Sequence, residues 1–379
     1  MRSGWCLSKR QFGYHPTSSR RSPMDKRHRT PAAILLVLCG LLAWAQLAFG
    51  QAAFALISLD SIAALRTKSK TPLGQDVIRA ANAAARREPH ALARVHTEGT
   101  LPHQGIYDQS REAMRDWPAM RDLALGFALT ADETYLHVVM RYFAAWLDVY
   151  RASLNPIDET SLDNVILAYD LVGKSLPDNL REKMTELMRA LATGYLAVQP
   201  NVRKGTTVNN WQSHRVKLIT LSAFALNDPE LITKAQRALQ TQLDYNLRAD
   251  GSTVDFEQRD ALHYVVYDLE PLLIAALAAK AHGLDWYSTK NRGGASLETA
   301  LHWLEPYATG ERTHEEFAHT TVEFDRTRAT AGLPGFSGRW DPKISTLLYQ
   351  VARRLNPRWA TLAVQLGPAS AWLELCFPP

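Results

Sequence analysis

Residues 250–273, DGSTVDFEQRDALHYVVYDLEPLL, decide how this chain is read. The stretch opens on Asp250-Gly251-Ser252, a turn signal. An Asp side chain bonds the backbone just after it, and Gly reaches positive φ without strain. Asp255, Glu257, Arg259, Asp260, His263, Tyr264 and Tyr267 then fall within thirteen residues, and residues 269–279 continue as an apolar helical run. A segment that only had to fold would not need so many titratable groups where a helix begins. A helix running from about Gln258 would put Arg259, His263 and Tyr267 at i, i+4 and i+8 on one face. Tyr264 would then sit about 100° round from His263.

A second polar knot lies upstream, Thr207-Val208-Asn209-Asn210-Trp211-Gln212-Ser213-His214-Arg215, again ahead of an apolar run, residues 216–226. Asn209 or Asn210 suits the N-cap of that helix. Two helix entrances loaded with amide, imidazole, guanidinium and phenol groups predict one cleft lined from two sides.

Outward from these stretches the chain reads as helix after helix. Helices are expected over residues 73–87, 110–129, 132–150, 161–171, 178–197, 211–226, 229–247, 259–282, 297–307 and 342–355. The breaks carry turn chemistry: Asn155-Pro156, Pro177-Asp178, Asn227-Asp228-Pro229, Asp250-Gly251 and Gly293-Gly294. No βαβ alternation and no glycine-rich phosphate loop appears. Serial antiparallel helices over some 300 residues fit an all-α fold, either a helical toroid or a long bundle. Residues 305–341 are polar and less periodic. They predict a long ordered loop with a functional role, from which His314, Glu316 and Arg328 are candidates to line the cleft.

The first fifty residues stand apart. A basic segment, Lys26, Arg27 and Arg29, precedes an apolar run over residues 32–45, then Ala48-Phe49-Gly50. That order is the pattern of a secretory signal cleaved after Gly50, with Met24 as an alternative start. The run is short for a membrane span, so no stable membrane insertion is expected after cleavage. Residues 51–379 are expected to form a single domain in a periplasmic or secreted protein. The formal charge of +5 belongs to the leader, which holds eight Lys and Arg residues and one acid. The remainder has 35 basic and 37 acidic residues, a charge near −2. The balance gives no reason to expect a nucleic-acid partner. Cys6 and Cys39 precede the cleavage point, so Cys376 alone remains, and no disulfide within the chain is expected. No CxxC or HExxH spacing appears, and no metal is expected.

Taken together, four features resemble the alginate lyase family of (α/α) toroid polysaccharide lyases. They are Asn209-Asn210 opening a helix, Asp250-Gly251-Ser252, Leu262-His263-Tyr264, and Leu269-Glu270-Pro271-Leu272. Asn155-Pro156-Ile157 and Ala168-Tyr169-Asp170-Leu171 match its upstream part, so the likeness covers roughly residues 75–340. The resemblance implies an incomplete barrel of helical hairpins and cleavage of an anionic uronic-acid polysaccharide by β-elimination without a cofactor. In the family's alginate-degrading members His follows the Asn pair directly. Here Trp211 stands there and His214 comes three residues later. The Asn-Asn-Trp-x-x-His-Arg arrangement looks more like a related branch acting on glucuronan-type chains.

β-Elimination at a 4-linked uronate removes H5, a proton made only weakly acidic by a carboxylate that resists carbanion formation. Donors must neutralise that carboxylate and strengthen as charge develops. A base must take H5, and an acid must protonate O4. Asn210, His214 and Arg259 are candidate neutralisers, with Asn209 beside them. Tyr264 can be both base and acid when H5 and O4 share a side, provided His263 or Arg259 favours its phenolate. When they lie on opposite sides, a His must take one role. Asn209, Trp211, Arg215, Glu159, Tyr267 and His314 are candidates to hold substrate. Two rival readings remain open on the sequence. One is a glycoside hydrolase using carboxylates among Asp255, Glu257 and Asp260. The other is a non-catalytic uronate-binding protein.

Overall fold

The computed structural model describes residues 53–198 and 204–378. The leader, with Met24, Cys6 and Cys39, lies outside the described residues. The chain begins with α1 (Leu59–Leu65), α2 (Pro72–Ala85), α3 (Tyr107–Ala113), α4 (Asp116–Thr130), α5 (Glu133–Val149) and the short α6 (Pro156–Glu159). Next come α7 (Asp163–Val172), α8 (Asp178–Ala197), α9 (Asn210–Ala225), α10 (Pro229–Asn246), α11 (Val254–Arg259) and α12 (Leu262–Ala281). The last are α13 (Leu297–Ala308), α14 (Glu323–Thr330), α15 (Thr346–Leu355), α16 (Ala360–Leu366) and α17 (Ala371–Cys376). Among the described residues there is no β-strand, only the isolated bridges Leu247–Thr253 and Glu315–Arg339.

The helices pack as successive inner and outer partners, the arrangement of an α/α toroid. α4 packs on α2 and α7, and α9 on α8, α10 and α12, while α12 continues onto α15. α9 shows why it occupies the inner layer. Fifteen of its residues, Asn210 and Gln212 through Ala225, are buried, so it has no solvent stripe. α12 is apolar enough by composition to cross a membrane, but 78% of its apolar window is covered by protein. Outer helices such as α10 instead alternate apolar and polar faces, burying Leu231, Ala235, Ala238, Leu239 and Leu243.

Local chemistry sets the helix ends. Asn155, Asp228 and Thr71 each cap a helix whose first residue is Pro. That residue has no N–H to leave unpaired. At the Asp250-Gly251-Ser252 turn, Asp250 Oδ1 accepts from the Ser252 backbone at 3.0 Å and hydroxyl at 2.8 Å. Gly251 has φ +96, and a Cβ there would come within 2.4 Å of the Thr299 carbonyl oxygen. Asp170 pins the start of the described chain, accepting from the backbone N–H groups of Ala55, Leu56 and Ile57 at 2.6, 2.8 and 2.9 Å.

Two expectations are corrected. The helix expected over 110–129 is two, α3 and α4, separated at Met114-Arg115. The helix expected from about Gln258 is also broken. Asp260 turns left-handed (φ 49, ψ 51) and caps α11, so α12 starts only at Leu262. The break is stabilised from the polar loop. The Asp260 carbonyl accepts from the Phe317 N–H at 2.8 Å, and the Asp260 carboxylate accepts from the His319 N–H at 2.9 Å. Arg259, His263 and Tyr267 are therefore not one continuous helical face.

Candidate active site

The N-terminal ends of α9 and α12 meet, and residues 305–341 fold over them. Glu316 replaces a local cap for α12, accepting from Leu262 N–H at 2.9 Å and His263 N–H at 3.3 Å. Its burial pushes the carboxyl up to about 7, against those two bonds. The same loop delivers α14, and with it Arg328.

Tyr264 lies at the centre of this arrangement. Its hydroxyl accepts from Arg328 Nη1 at 2.9 Å. The Arg259 guanidinium lies over its ring, 3.9 Å from the centroid, a cation–π contact. Tyr267 and Phe317 meet the same ring edge-on. Burial pushes the Tyr264 phenol above its usual value, while Arg259 and Arg328 pull against it. The two cations that would stabilise a phenolate are thus in place. His263 stands beside Tyr264, ring centroids 5.4 Å apart. Its imidazole is held below its usual value by burial first, then by Arg328 and Arg259.

The two arginines are anchored from behind. Arg259 Nη1 bonds Asp325 at 2.5 Å and Arg259 Nε lies 3.5 Å from Asp255. Arg328 Nη1 also lies 3.5 Å from Asp325. Asp255, buried and pushed up to about 6 by desolvation, binds the backbone N–H and side-chain Nδ2 of Asn210, both at 2.6 Å. This corrects the role expected for Asn210: its amide fixes the start of α9 to α11 instead of facing the cleft. Asn209 is the N-cap, its Oδ1 accepting from the Trp211 N–H at 3.2 Å. Its Nδ2 makes no hydrogen bond among the described residues. Trp211 is half-buried, and its side chain makes no hydrogen bond among the described residues. Arg215 donates from Nη1 to the Thr206 carbonyl at 2.6 Å and to Gln212 Oε1 at 3.2 Å. It lies under Trp211, 5.8 Å from the ring centroid, and burial depresses its pKa.

A second tier lies one helical turn below. His214 and Tyr267 are in contact, centroids 4.2 Å apart. His214 is buried, its Nδ1 lies 2.7 Å from Thr160 Oγ1, and its Nε2 has no partner among the described residues. Burial first, and Lys217 second, hold its imidazole well below the usual value. Burial also raises the Tyr267 phenol, and Tyr264, Glu270 and Asp158 add to the shift. Pro271 cannot donate to the Tyr267 carbonyl, which loosens the helix at this tier.

Two further expectations are corrected. Glu159 does not face a cleft. It is fully buried, and Oε1 accepts from the Tyr150 hydroxyl at 2.7 Å and the Ser153 N–H at 2.5 Å. Its other oxygen accepts from the Tyr195 hydroxyl. Both lone-pair sets are spent on joining α5, α6 and α8. One nitrogen of His314 is committed as well, its Nε2 lying 2.9 Å from the Asp260 carbonyl.

The chain matches the alginate lyase family over residues 64–314. It belongs to that family. This polysaccharide lyase also resembles solved lyase structures in fold. One is an alginate lyase from Bacteroides ovatus, 17% identical, with TM-score 0.64, covering 86% of this chain and 99% of that one. Another is alginate lyase A1-III from a Sphingomonas species, 15% identical, TM-score 0.58, covering 84% and 94%. A tyrosine-to-phenylalanine variant of A1-III complexed with a tetrasaccharide aligns at 16% identity and TM-score 0.61, covering 84% and 94%. No curated protein sequence matches this chain significantly.

Within this lyase, the carboxylates a hydrolase reading would need are occupied. Asp255 is sealed behind Arg259 and Asn210, Glu257 pairs with Arg248 on the surface, and Asp260 holds the helix break. Among the described residues no set of three or more His, Cys, Asp or Glu side chains gathers as a metal cage. Sequence reasoning underweighted three groups beside the site: Arg328, which it grouped with a polar loop, and Thr160 and Lys217, which support His214. Their helices, α14, the turn after α6 and α9, are far apart in the chain. Only the closed fold joins them.

Proposed function

We propose that this lyase cleaves a 4-linked uronic-acid polymer, of alginate or glucuronan type, by β-elimination with Tyr264 as the acid–base group. The observation that carries the reading is a buried phenol with one arginine donating to its oxygen and another over its face. A tyrosine is a poor base at its ordinary pKa near 10. Two cations that favour the phenolate supply what that role needs. The same hydroxyl, once protonated, can donate to O4 as that bond breaks. The His263 imidazole stands beside it, and Asn209 at the start of α9 has an amide Nδ2 with no hydrogen bond among the described residues. They suit neutralisation of the uronate carboxylate, with Arg328 adding positive potential. Trp211, half-buried at the mouth of α9, offers a stacking face for a sugar ring.

The order of basic, apolar and small residues over 26–50 supports export to the periplasm or the medium, where such polymers occur. N-terminal sequencing of exported material should find Gln51 first, and retention of residues 30–50 would oppose this reading.

The functional test is product chemistry. Purified protein is supplied with alginate, polymannuronate, glucuronan and hyaluronan, and product absorbance is followed in the near ultraviolet. Elimination leaves a conjugated C4–C5 double bond that absorbs. New reducing ends without absorbance would mean hydrolysis, and binding without either signal would mean a non-catalytic protein.

A further inference from the structure

The inner helices of the toroid start at one end. Arg121, in the second turn of α4, bonds Asn164, in the first turn of α7, at 2.7 Å. Lys217, two turns into α9, bonds Asp163 at the start of α7 at 2.6 Å. Ser213, in the first turn of α9, bonds Asp268, in the second turn of α12, at 2.5 Å. The segments entering these four helices therefore gather on one rim, the rim that carries Tyr264. One of them is the loop between α2 and α3, and another is α6. Asp158 of α6 ties the two together.

Asp158 is fully buried and spends both oxygens on that loop. Its Oδ1 accepts from the Thr97 N–H at 2.7 Å, the Glu98 N–H at 3.0 Å and the Thr97 hydroxyl at 3.1 Å. Its Oδ2 lies 2.8 Å from His96 Nδ1. A carboxylate oxygen accepts and does not donate, so Nδ1 carries the proton. A bare Nδ1 would set two lone pairs against each other. In the neutral ring the lone pair is then on Nε2. That atom makes no hydrogen bond among the described residues, and the His96 side chain is 31% exposed. His103 and Asp108, further along the same chain segment, form a pair exposed on both sides. His96 differs because its carboxylate partner is sealed in the fold.

The loop runs past the site. Burial is the main cause of the raised Tyr267 phenol, and the Asp158 charge is near enough to add to it. Five residues beyond His96, Leu101 lines a cavity of about 470 Å³ with Glu323, Arg326 and Thr327 of α14, the helix that carries Arg328. His96 thus stands on a stretch that links the Tyr267 side of the rim to the Arg328 side.

We propose that His96 is a substrate contact of this lyase, an acceptor for a sugar hydroxyl on the rim that carries Tyr264, and that Asp158 is its positioning residue. This rests on the lyase reading and deepens it. A lone pair at Nε2 repels a uronate carboxylate and suits a hydroxyl. Mannuronate and glucuronate polymers carry the same carboxylate and differ in the direction of one ring hydroxyl. A site built to bond a substrate hydroxyl discriminates against sugars that do not present it. His96 is therefore a residue that bears on which uronan is cleaved.

The experiment is long-range 1H–15N NMR of full-length mature protein labelled at histidine, with His96 assigned from the His96→Asn spectrum. Wild type should show a protonated Nδ1 and a bare Nε2. Asp158→Asn should invert the pattern, because an amide Nδ2 in place of Oδ2 donates to the ring. In the Tyr264→Phe protein, oligomers of mannuronate and of glucuronate are added in turn. At least one should move the bare Nε2 signal, while exposed His137 on α5 stays where it is. His96→Asn keeps a donor for Asp158 and loses the ring acceptor. On the polymer cleaved by wild type its KM should rise about 2- to 10-fold, the size of one neutral hydrogen bond, with kcat little changed. A protonated Nε2 in wild type overturns the inference. So does an Nε2 signal that neither oligomer moves, or a His96→Asn protein with wild-type KM, whose lowered melting midpoint would mark His96 as a loop anchor only. A moved Nε2 signal in a protein that yields unsaturated product from no uronan upholds the contact and counts instead against the functional reading. The wild-type spectrum and the oligomer titration decide the proposal even where Asp158→Asn does not fold.

Discussion

Arg328→Met tests the catalytic reading most directly, because the one close hydrogen bond it removes is to the Tyr264 hydroxyl, the Asp325 contact being 3.5 Å long. Arg328 Cζ lies 4.2 Å from the Phe324 ring centroid and 4.9 Å from that of Phe336. A methionine stem can keep much of that contact. What is lost is the bond from Nη1 to the Tyr264 hydroxyl at 2.9 Å. A hydrogen bond involving a charged partner contributes about 1.5–3 kcal/mol. If the phenol oxygen gains negative charge on the way to the transition state, most of that is lost from the barrier. At about 1.4 kcal/mol per tenfold the expected drop in kcat is about 10–150-fold. Arg259 stays over the ring, so activity falls without vanishing. The pH profile gives an independent check. Burial already raises the Tyr264 phenol, and Arg328 is one of the groups opposing that rise. Without it the phenol rises further, so any alkaline gain in kcat/KM should begin at higher pH in the variant. Initial rates of absorbance increase across pH, for wild type, Arg328→Lys and Arg328→Met, measure both. Arg328→Met with wild-type kcat and an unshifted profile would show that the Arg328–Tyr264 bond is structural only, and the assignment of Tyr264 would lose its main support.

Three further outcomes follow from the same geometry. Tyr264→Phe deletes the proton acceptor and donor together, and a general acid–base group contributes about 10²–10⁴. Turnover should therefore fall below about a tenth of wild type with circular dichroism unchanged, while Tyr245→Phe, on the exposed side of α10, keeps full activity. Glu159→Ala strands the hydroxyls of Tyr150 and Tyr195 and the Ser153 N–H, each worth about 1–3 kcal/mol when buried and unpaired. Its thermal midpoint should drop clearly while KM of the folded fraction stays put, and a raised KM at unchanged stability would restore Glu159 as a substrate contact. Glu270 is raised by burial from 4.5 to about 7, with Lys217 opposing. A carboxyl raised on folding stabilises fully below its unfolded value, and that stability is lost as pH rises through the folded value. Between about 4.5 and about 7, Glu270→Gln should therefore gain thermal stability relative to wild type as pH rises, and parallel melting curves would refute it.

The helices were legible because their signals are local. Apolar spacing and the Pro and Asp starts set α8 at its observed limits and placed α9, α10 and α13 within a residue or so. The break at Asp260 was not legible. A left-handed Asp costs little when distant groups bond its carbonyl and carboxylate, and those groups come from residues 314–319. The same limit applied to side chains. Sequence shows that Asn210 and Glu159 are polar at helix starts. It does not show that a buried Asp255 claims the first, or that two tyrosines claim the second. Tyr264 and His263 were legible as a pair because adjacency in sequence is adjacency in space. Arg328, sixty-four residues downstream of Tyr264, carried no such mark beyond lying in a polar, aperiodic stretch.

The placement of carboxylates explains how this site can hold two arginines against one phenol without filling them with surface acids. Asp255 and Asp325 are both fully buried, and both approach Arg259. Breaking such a buried pair by removing one partner leaves an uncompensated charge and typically costs about 3–5 kcal/mol. Arg259 is thereby held over the Tyr264 ring and is poorly placed to swing out and grip substrate. Arg328 is tethered more loosely, 3.5 Å from Asp325, and keeps a short bond to the phenol oxygen. Under the proposed reading these distances divide the labour: Arg259 would tune the ring from a fixed position, and Arg328 would answer charge as it appears on the oxygen. Substituting Arg259 should therefore cost stability as well as turnover, whereas substituting Arg328 should cost turnover first. Thermal melts of Arg259→Met and Arg328→Met, run beside their kinetics, separate the two roles. Equal losses of stability in both would show that the tethers do not distinguish them.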